Sequence, residues 1–178
     1  MSNTEYFYVS PQDIKNESIK LAYKIKPYID DVESTQIIAI ARGGLIPAQY
    51  ISYILGIRNM HVINSRSYEG EDKTDTIEIS GLLMADYENA KKIIIIDDIY
   101  DTGDTLNQVL FLMNEASKHF TDREIEFIPG VLYTQKKKKF MKNTGIFYSK
   151  KIKKINGVKP WVVFPWDNLE LDDTNEIS

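Results

Sequence analysis

Alternating apolar and polar stretches predict strands and helices in turn along this chain. The clearest apolar run is residues 93–96, four consecutive isoleucines. A β-branched run without polar positions is typical of a strand buried on both faces of a parallel sheet. Residues 36–41 form a second such run, and apolar positions at helical spacing follow the two runs, over residues 106–119 and 45–55 respectively. Strands that alternate with helices predict one α/β domain with a mainly parallel, twisted sheet flanked by helices.

Weaker patterns complete the predicted domain. Ser10, Pro11 and Asp13 predict a capping box at the start of a helix that should run to about residue 28. Three further strands are expected, over residues 60–65, 76–83 and 124–133. In the last of these strands, Pro129 and Gly130 predict a bulge or a kink.

The isoleucine run ends in an acidic turn that suits a sugar phosphate. Asp97 and Asp98 follow the run directly, and the sequence Asp101-Thr102-Gly103-Asp104-Thr105 then leads into a predicted helix. Backbone N–H groups of such a turn and of a helix N-terminus point to a common centre, and threonine hydroxyls add further donors. A phosphate can therefore be held there without a lysine. The neighbouring carboxylates can accept hydrogen bonds from sugar hydroxyls or bind magnesium.

The stretch DDIYDTGDT resembles the phosphoribosyl-pyrophosphate-binding signature of the type I phosphoribosyltransferases. The resemblance implies that ribose 5-phosphate is transferred from phosphoribosyl pyrophosphate to a base, with Mg²⁺ as cofactor. It implies that Asp97 and Asp98 hold the ribose hydroxyls, directly or through magnesium, and that the turn from Thr102 to Thr105 holds the 5-phosphate. Asp101 is implied as the general acid/base near the purine N7. A plain N-capped helix with surface aspartates is the alternative, but it would leave three acidic residues crowded at one strand end.

Asp104 departs from the family pattern, because glycine or another residue is common at its position. A carboxylate so close to a phosphate would weaken binding by repulsion. The Asp104 side chain is therefore expected to point outward.

Two further segments match the family by position. Arg42, Gly43 and Gly44 follow the second apolar run, and this turn resembles the loop that binds the pyrophosphate. Glycines let the backbone approach phosphate oxygens and Arg42 adds charge, and the resemblance implies a strained or cis peptide here.

Ser67 and Tyr68 open a polar stretch, and the resemblance implies a loop that closes over the reacting centre. A mobile surface loop without a role is the other interpretation of that stretch.

The segment KPWVVFPWD, residues 159–167, resembles the tail that forms the base pocket in the 6-oxopurine branch of the family. Xanthine-guanine and hypoxanthine phosphoribosyltransferases belong to that branch. By position, Trp161 would stack on the purine, the Val162 backbone would read its edge, and Asp167 would help to place magnesium.

The branch also places a lysine against the oxygen at position 6. Gln135 and Lys136 both lie near the matching position, and Lys136 is the preferred candidate. Core packing is the expected role of Trp166. A hood formed by the two ends of the chain is expected over the base site.

Composition limits which cellular compartment and which binding partners are expected for this protein. The 178 residues contain no cysteine and carry a net charge of −4, which excludes disulfides and thiolate chemistry and gives no general attraction for nucleic acid. No apolar run approaches the roughly 20 residues that span a bilayer, and the N-terminal sequence does not resemble a signal peptide. A cytoplasmic protein without membrane partners is expected. The domain should cover residues 1–167, and the acidic tail, 168–178, should be disordered or loosely docked.

Three functions follow from these patterns. The first is a purine-salvage phosphoribosyltransferase acting on xanthine, guanine or hypoxanthine, with orotate and adenine as weaker alternatives; the resemblance implies a homodimer or homotetramer. The second is a regulator that senses phosphoribosyl pyrophosphate and binds nucleic acid through the lysine-rich residues 136–159, although a solvated surface is the preferred interpretation of those lysines. The third is an interaction domain with a vestigial site, which the intact acidic signature disfavours.

Overall fold

The computed structural model describes residues 4–69, 75–138, 141 and 145–167, with the side chains of residues 67–69 and 75–77 outside the description. Eight strands and three α-helices lie in these ranges, and short 3₁₀ turns follow α1 and β4. In chain order they are β1 (Tyr6–Tyr8), α1 (Pro11–Ile25), β2 (Thr35–Ala41), α2 (Leu45–Leu55), β3 (Met60–Glu69), β4 (Asp75–Ser80), β5 (Lys92–Tyr100), α3 (Asp104–Ser117), β6 (Glu126–Thr134), β7 (Phe147–Lys151) and β8 (Trp161–Val163).

Six strands form the central sheet, in the order β4-β3-β2-β5-β6-β7. Every neighbouring pair is parallel except β3 and β4, which form an antiparallel hairpin. In the middle of the sheet, Ile94 of β5 pairs with Ile37 of β2 on one side and with Ile128 of β6 on the other. The mainly parallel sheet predicted from the two apolar runs is confirmed.

The isoleucine run of β5 supplies both cores of the domain. Ile94 and Ile96 pack in the cluster that holds α1 and α2, whereas Ile93 and Ile95 pack in the cluster that holds α3. All four side chains are fully buried. Because successive side chains of a strand point to opposite faces, a strand covered by helices on both faces needs apolar residues at every position.

The two ends of the described chain pair with each other. β1 and β8 form a separate two-stranded parallel sheet, in which Tyr6 pairs with Trp161 and Phe7 with Val162. This small sheet is the terminal hood expected from the sequence.

Helix α1 begins with the predicted capping box. The Asp13 N–H donates to the Ser10 hydroxyl at 3.1 Å, and the Ser10 N–H donates to the Asp13 carboxylate at 3.1 Å. Ser18 and the other buried residues of α1 lie on one face of the helix, which packs against α2, β6 and β7. None of the helices in the described ranges combines the length and the apolar character needed to cross a membrane.

The predicted bulge at Pro129 and Gly130 is wrong. The pairing of β6 with β5 keeps one register through this point, with Pro129 opposite Ile95 and Gly130 opposite Ile96. Gly130 is instead a packing position: a Cβ built on it would lie 3.1 Å from Ile25 of α1 and 3.2 Å from the Ile96 side chain. The glycine lets α1 approach the sheet.

Two strands extend further than the sequence pattern indicates. β3 continues to Glu69 as one arm of the hairpin, so Ser67 and Tyr68, expected to open a loop, pair with Ile77 and Thr76 of β4. β5 continues to Tyr100, so Asp97 and Asp98 lie inside the strand rather than in the turn after it. The physical reason is pairing, because β6 stays in register with β5 as far as Thr134.

Candidate active site

The carboxyl ends of β2, β3 and β5 meet at one edge of the sheet and enclose a cavity of about 770 Å³. This is the edge at which parallel α/β sheets bind ligands. The turn after β2 lines the cavity, and Asp98 and Asp167 supply its carboxylates. The lining residues are Ala41, Arg42, Gly43, Asn64, Ser65, Arg66, Asp98, Trp166 and Asp167.

The turn after β2 packs tightly against the end of β5. The peptide bond between Ala41 and Arg42 is cis, as the family resemblance implies. A side chain at Gly43 would collide with the Asp98 carboxylate, and one at Gly44 would meet the backbone of Ile40 and Ile96. Both glycines are therefore required by close approach. Arg42 is exposed and forms no ion pair with any residue in the described part of the chain, so its charge is available to an anion in the cavity.

Asp97 and Asp98 are adjacent, partly buried carboxyls. The Asp98 backbone N–H donates to the Asp97 carboxylate at 2.9 Å. Burial raises the pKa of Asp97 well above its usual value, and the charge of Asp98 raises it further. Burial also raises the pKa of Asp98 to about 6, with a smaller contribution from the charge of Asp167.

No lysine, arginine or histidine within the described ranges pairs with either carboxyl of this pair. Two adjacent, partly buried carboxylates without a cation are costly at neutral pH. They are suited to binding a cation or hydroxyl donors that arrive with a ligand.

The acidic turn at the end of β5 is held from below by Tyr100. Gly103 has φ 100°, and a Cβ on it would collide with the Tyr100 hydroxyl, so no other residue fits there without strain. Asn107 of α3 donates to that hydroxyl at 3.3 Å. The structure thus fixes a glycine turn directly before α3, whose first N–H groups lack helical partners.

The threonines and Asp104 lie on the outer side of this turn. Thr102 is exposed, and its hydroxyl accepts a long hydrogen bond of 3.4 Å from the Asp104 N–H. Thr105 is partly exposed in the first turn of α3. The Asp104 side chain is exposed, in line with its expected outward direction.

A second cavity, of about 280 Å³, lies between the hood and the ends of β5 and β6. Trp161 is 66% exposed on its rim, whereas Val162 is buried. Ile99 of β5 lines the same cavity as Trp161, so a flat ring has apolar side chains available on both strands. The lining residues are Thr4, Ile99, Asp101, Gln135, Lys159, Pro160, Trp161, Val162 and Phe164. We call this the Trp161 cavity.

A third cavity, of about 200 Å³, adjoins the Trp161 cavity, and the two share Asp101, Gln135, Lys159 and Pro160. Lys136 lines this third cavity together with Lys153 and Lys154, whereas Gln135 lines both. The Gln135 amide donates to the Pro160 carbonyl at 2.7 Å, which ties the end of β6 to the segment before β8. Of the two residues expected to meet the base, only Gln135 lines the same cavity as Trp161.

Asp167 and Trp166 lie at the other end of the tail. The Asp167 carboxylate accepts a hydrogen bond of 2.8 Å from the Phe164 N–H, and Trp166 stacks on Phe164 with ring centroids 5.1 Å apart. The packing role expected of Trp166 is confirmed. Asp98 and Asp167 line one cavity, but no cluster of three or more metal-binding side chains occurs among the described residues. Two carboxylates fit a magnesium ion that keeps its waters and binds substrate phosphates.

Several lining residues escaped the sequence analysis. Asn64, Ser65 and Arg66 lie near the predicted end of β3, so the rule that ligands bind at strand ends could have indicated them. Ile99 lies between Asp98 and Asp101 in the acidic signature, and the signature assigns no role to the residue at its position. Lys159 lies in a lysine-rich segment where nothing distinguishes it. The side chains of Ser67 and Tyr68 lie outside the described residues.

Two aromatic residues of the lysine-rich segment that the structure describes, Phe147 and Tyr148, are used in packing. Phe147 and Tyr148 belong to β7 and pack against the two cores. Phe147 meets Tyr28 at a centroid distance of 4.9 Å, and Lys24 lies 5.1 Å above the Tyr148 ring. Because these rings are partly covered by their packing partners, they are less suited to stacking with bases of a nucleic acid.

Comparison with known proteins agrees with this geometry. The Phosphoribosyl transferase domain family matches residues 9–169. The xanthine-guanine phosphoribosyltransferase of Cereibacter sphaeroides is 28% identical over 162 residues, which cover 90% of this chain and 86% of that protein. The same-named protein of Idiomarina loihiensis is 31% identical over 105 residues, covering 59% and 62% respectively.

A solved structure extends the comparison to the fold. The purine phosphoribosyltransferase from Pyrococcus horikoshii is 27% identical and superposes with a TM-score of 0.66, covering 93% of this chain and 97% of that one. The sequence match spans the sheet, the acidic turn and the tail that lines the Trp161 cavity. The chain therefore belongs to the phosphoribosyltransferase domain family.

Proposed function

We propose that this protein is a magnesium-dependent purine phosphoribosyltransferase. It transfers ribose 5-phosphate from phosphoribosyl pyrophosphate to N9 of a 6-oxopurine, namely xanthine, guanine or hypoxanthine, and releases pyrophosphate. The observation that carries the proposal is that Asp101, Ile99 and Trp161 line one cavity, next to the strand end that bears the acidic pair. The names of the relatives that match across most of the chain support the purine base.

The large cavity takes the charged half of the substrate. Arg42 and the glycine turn bind the pyrophosphate, and the turn from Thr102 to Thr105 binds the 5-phosphate through backbone N–H groups and hydroxyls. Asp97 and Asp98 hold the ribose hydroxyls. Asp98 and Asp167 would hold a magnesium ion, which would supply positive charge beside the leaving pyrophosphate.

The Trp161 cavity takes the base. Its ring lies between Trp161 and Ile99, and the Val162 backbone reads its edge. N9 attacks the anomeric carbon through an oxocarbenium-like state, while the proton on N7 passes to the Asp101 carboxylate. Most of the acceleration comes from positioning and from charges fixed in advance.

Three further features of this proposal follow from the family resemblance. Ser67 and Tyr68 lie on the segment that closes over the reacting centre and excludes water, since hydrolysis is the competing reaction. The protein acts as a homodimer or homotetramer. It works in the cytoplasm, in the salvage of preformed bases.

A nucleic-acid-binding regulator is the less favoured function. Phe147 and Tyr148, the aromatic residues of the lysine-rich segment that the structure describes, pack against the cores, which disfavours that role. The matching relatives carry the names of transferases.

The test is an assay of pyrophosphate release and ultraviolet absorbance, with magnesium, phosphoribosyl pyrophosphate and one base at a time. The bases are guanine, xanthine, hypoxanthine, adenine, orotate and uracil. We expect turnover with the oxopurines alone. Tight binding of phosphoribosyl pyrophosphate without turnover on any base would overturn the proposal and favour the regulator.

A further inference from the structure

Tyr100 is the last residue of β5, and its side chain is 1% exposed. The ring packs in the core cluster on the α3 side of the sheet, together with Leu106 and Val109 of α3. The Tyr100 carbonyl accepts a hydrogen bond of 3.1 Å from the hydroxyl of Thr134, its pairing partner in β6. The body of the domain therefore fixes both the backbone and the ring of Tyr100.

The tip of this ring lies under the acidic turn. It fills the space that a side chain at Gly103 would need. The Tyr100 hydroxyl also accepts a hydrogen bond of 3.3 Å from the side-chain amide of Asn107. The Asn107 backbone N–H in turn donates to the Gly103 carbonyl at 2.9 Å. Tyr100, Gly103 and Asn107 thus form a closed set of contacts that joins β5, the turn and α3.

This set of contacts determines where the N–H groups of the turn lie. The first N–H groups of α3 have no helical partner and can bind an anion. Residues 101–105 include no lysine or arginine, so a phosphate bound there depends on the placement of N–H and hydroxyl donors. A displacement of about 1 Å in a positioning group costs on the order of 100-fold in rate. The distance of the turn from β5 therefore matters, and the Tyr100 ring is the side chain on which the turn rests.

The hydroxyl of Tyr100 distinguishes positioning from plain core packing. A phenylalanine ring would fill the same space in the cluster but could not bond to Asn107. Because Asn107 belongs to the first turns of α3, its hydrogen bond to the hydroxyl ties the fixed ring to the helix end that faces the anion. Removal of the hydroxyl alone therefore tests this tie.

We propose that Tyr100 is a positioning residue for the 5-phosphate and that it acts through Gly103 and Asn107. The inference rests on the proposed function, in which the acidic turn holds the 5-phosphate, and it identifies the side chain that sets the position of that turn. Tyr100 itself does not reach the substrate, because its side chain is buried.

The other two parts of the site should not depend on the Tyr100 hydroxyl. The glycine turn after β2 packs against Asp98 and the backbone of Ile96, which lie further back in β5. Asp101 is paired with Lys159, and the hydrogen bond from Thr134 to the Tyr100 carbonyl remains when the hydroxyl is removed. Loss of the hydroxyl should therefore weaken the binding of the 5-phosphate selectively.

The experiment measures the binding of ribose 5-phosphate and, separately, of pyrophosphate with magnesium, by calorimetry. Tyr100→Phe should weaken ribose 5-phosphate binding about 5- to 10-fold relative to the natural protein and leave pyrophosphate binding unchanged. In steady-state kinetics, KM for phosphoribosyl pyrophosphate should rise by a similar factor, while KM for hypoxanthine stays the same. Unchanged ribose 5-phosphate binding in Tyr100→Phe would overturn the proposal.

Tyr87→Phe is the matched control. Tyr87 is also 1% exposed, belongs to the same core cluster, and donates its hydroxyl to the Leu82 carbonyl at 2.7 Å. Loss of this hydroxyl should lower the melting temperature to a similar extent without changing ribose 5-phosphate binding. An equal loss of that binding in both variants would overturn the proposal. A loss in Tyr100→Phe that extended equally to pyrophosphate would also overturn it, since either result would indicate general loosening of the core.

Asn107→Leu removes the other end of the tie, and it provides the test if Tyr100→Phe does not fold. It should weaken ribose 5-phosphate binding by a similar factor. The double variant Tyr100→Phe/Asn107→Leu should bind no more weakly than either single variant, because the two side chains act as one unit. Additive losses in the double variant would contradict the tie.

The calorimetric result also separates this proposal from the proposed function. If the natural protein bound ribose 5-phosphate but transferred it to no base, the transferase proposal would fail, and a selective loss in Tyr100→Phe would still support the positioning role. If the natural protein catalysed transfer and Tyr100→Phe matched it in ribose 5-phosphate binding, only the positioning role would fail. Absence of ribose 5-phosphate binding to the natural protein would overturn both.

Discussion

The pair Asp97 and Asp98 and the single Asp101, three residues further along the chain, have opposite electrostatic surroundings. Asp97 and Asp98 lie inside β5 and have no cationic partner among the described residues. Asp101 lies just beyond the strand and is paired with Lys159. Burial raises the pKa of Asp97 and of Asp98, whereas the charge of Asp101 is balanced by the neighbouring ammonium.

The difference indicates which half of the reaction depends on a cation from outside. At the proposed phosphate end the protein supplies carboxylates and Arg42, and the cation that would pair with the carboxylates is the magnesium of the proposed function. At the base end it supplies both charges itself, so an uncharged ring can bind by meeting a donor and an acceptor. The two ends should therefore respond separately to substitution.

The largest effect is expected from Asp101→Asn. The amide cannot take the N7 proton, so kcat should fall by about 10²–10⁴-fold. KM for phosphoribosyl pyrophosphate should change little, because that substrate binds at the other end. Steady-state kinetics with both substrates measure this, and unchanged turnover would remove the role assigned to Asp101.

Gly43→Ala should damage the phosphate end alone. The added methyl would collide with the Asp98 carboxylate, and a displacement of about 1 Å in a positioning group costs on the order of 100-fold. We expect kcat/KM for phosphoribosyl pyrophosphate to fall by about that factor, while hypoxanthine binding, followed by quenching of tryptophan fluorescence, stays unchanged. Weakened base binding in this variant would show that the two ends are coupled.

Trp161→Ala should damage the base end alone. Base–aromatic stacking is worth about 1–3 kcal/mol, so KM for the base should rise by about 10-fold or more, with little change for phosphoribosyl pyrophosphate. Because Trp161 is 66% exposed, the thermal stability should hold. Equal effects on both substrates would contradict the stacking role.

The smallest expected effect is a dependence of folding stability on pH, caused by the raised pKa of Asp98. A carboxyl whose pKa is raised on folding binds its proton more tightly in the folded state, so stability must fall as pH rises through the interval between the two pKa values. For Asp98 this interval runs from the usual 3.8 to about 6. Thermal melts without magnesium should show this decline from about pH 4 to about pH 7.

Asp98→Asn is the variant that isolates this effect. It removes the charge and should stabilise the magnesium-free protein at neutral pH by about 1–2 kcal/mol, while lowering activity. Magnesium with pyrophosphate should stabilise the natural protein more as pH rises, because the deprotonated pair binds the cation. A pH profile identical in the variant and the natural protein would refute the burial argument.

The sequence was sufficient for the fold class because the relevant signal is local. Ile93 to Ile96 are apolar at every position, and only a strand covered on both faces has room for four such residues. The chain's acidic turn was recognisable for a related reason. A phosphate held by backbone N–H groups needs a glycine such as Gly103 at a fixed place between a strand and a helix.

Details that depend on a partner strand were predicted less well. Gly130 suggested a bulge, yet it exists because α1 approaches the sheet at that point. Asp97 and Asp98 were expected in a loop, yet β6 stays in register long enough to hold them in β5. No local pattern records the length of a neighbouring strand or the distance of a helix above it.

By itself the sequence determined the alternation of strands and helices, the two buried strands and the acidic turn, because each depends on neighbours along the chain. Only the tertiary structure decided which charges meet. Lys159 and Asp101 are 58 positions apart, and their pairing follows from the return of the chain to the end of β5. Electrostatic contacts depend on distance in space, which the spacing of residues along the chain does not determine.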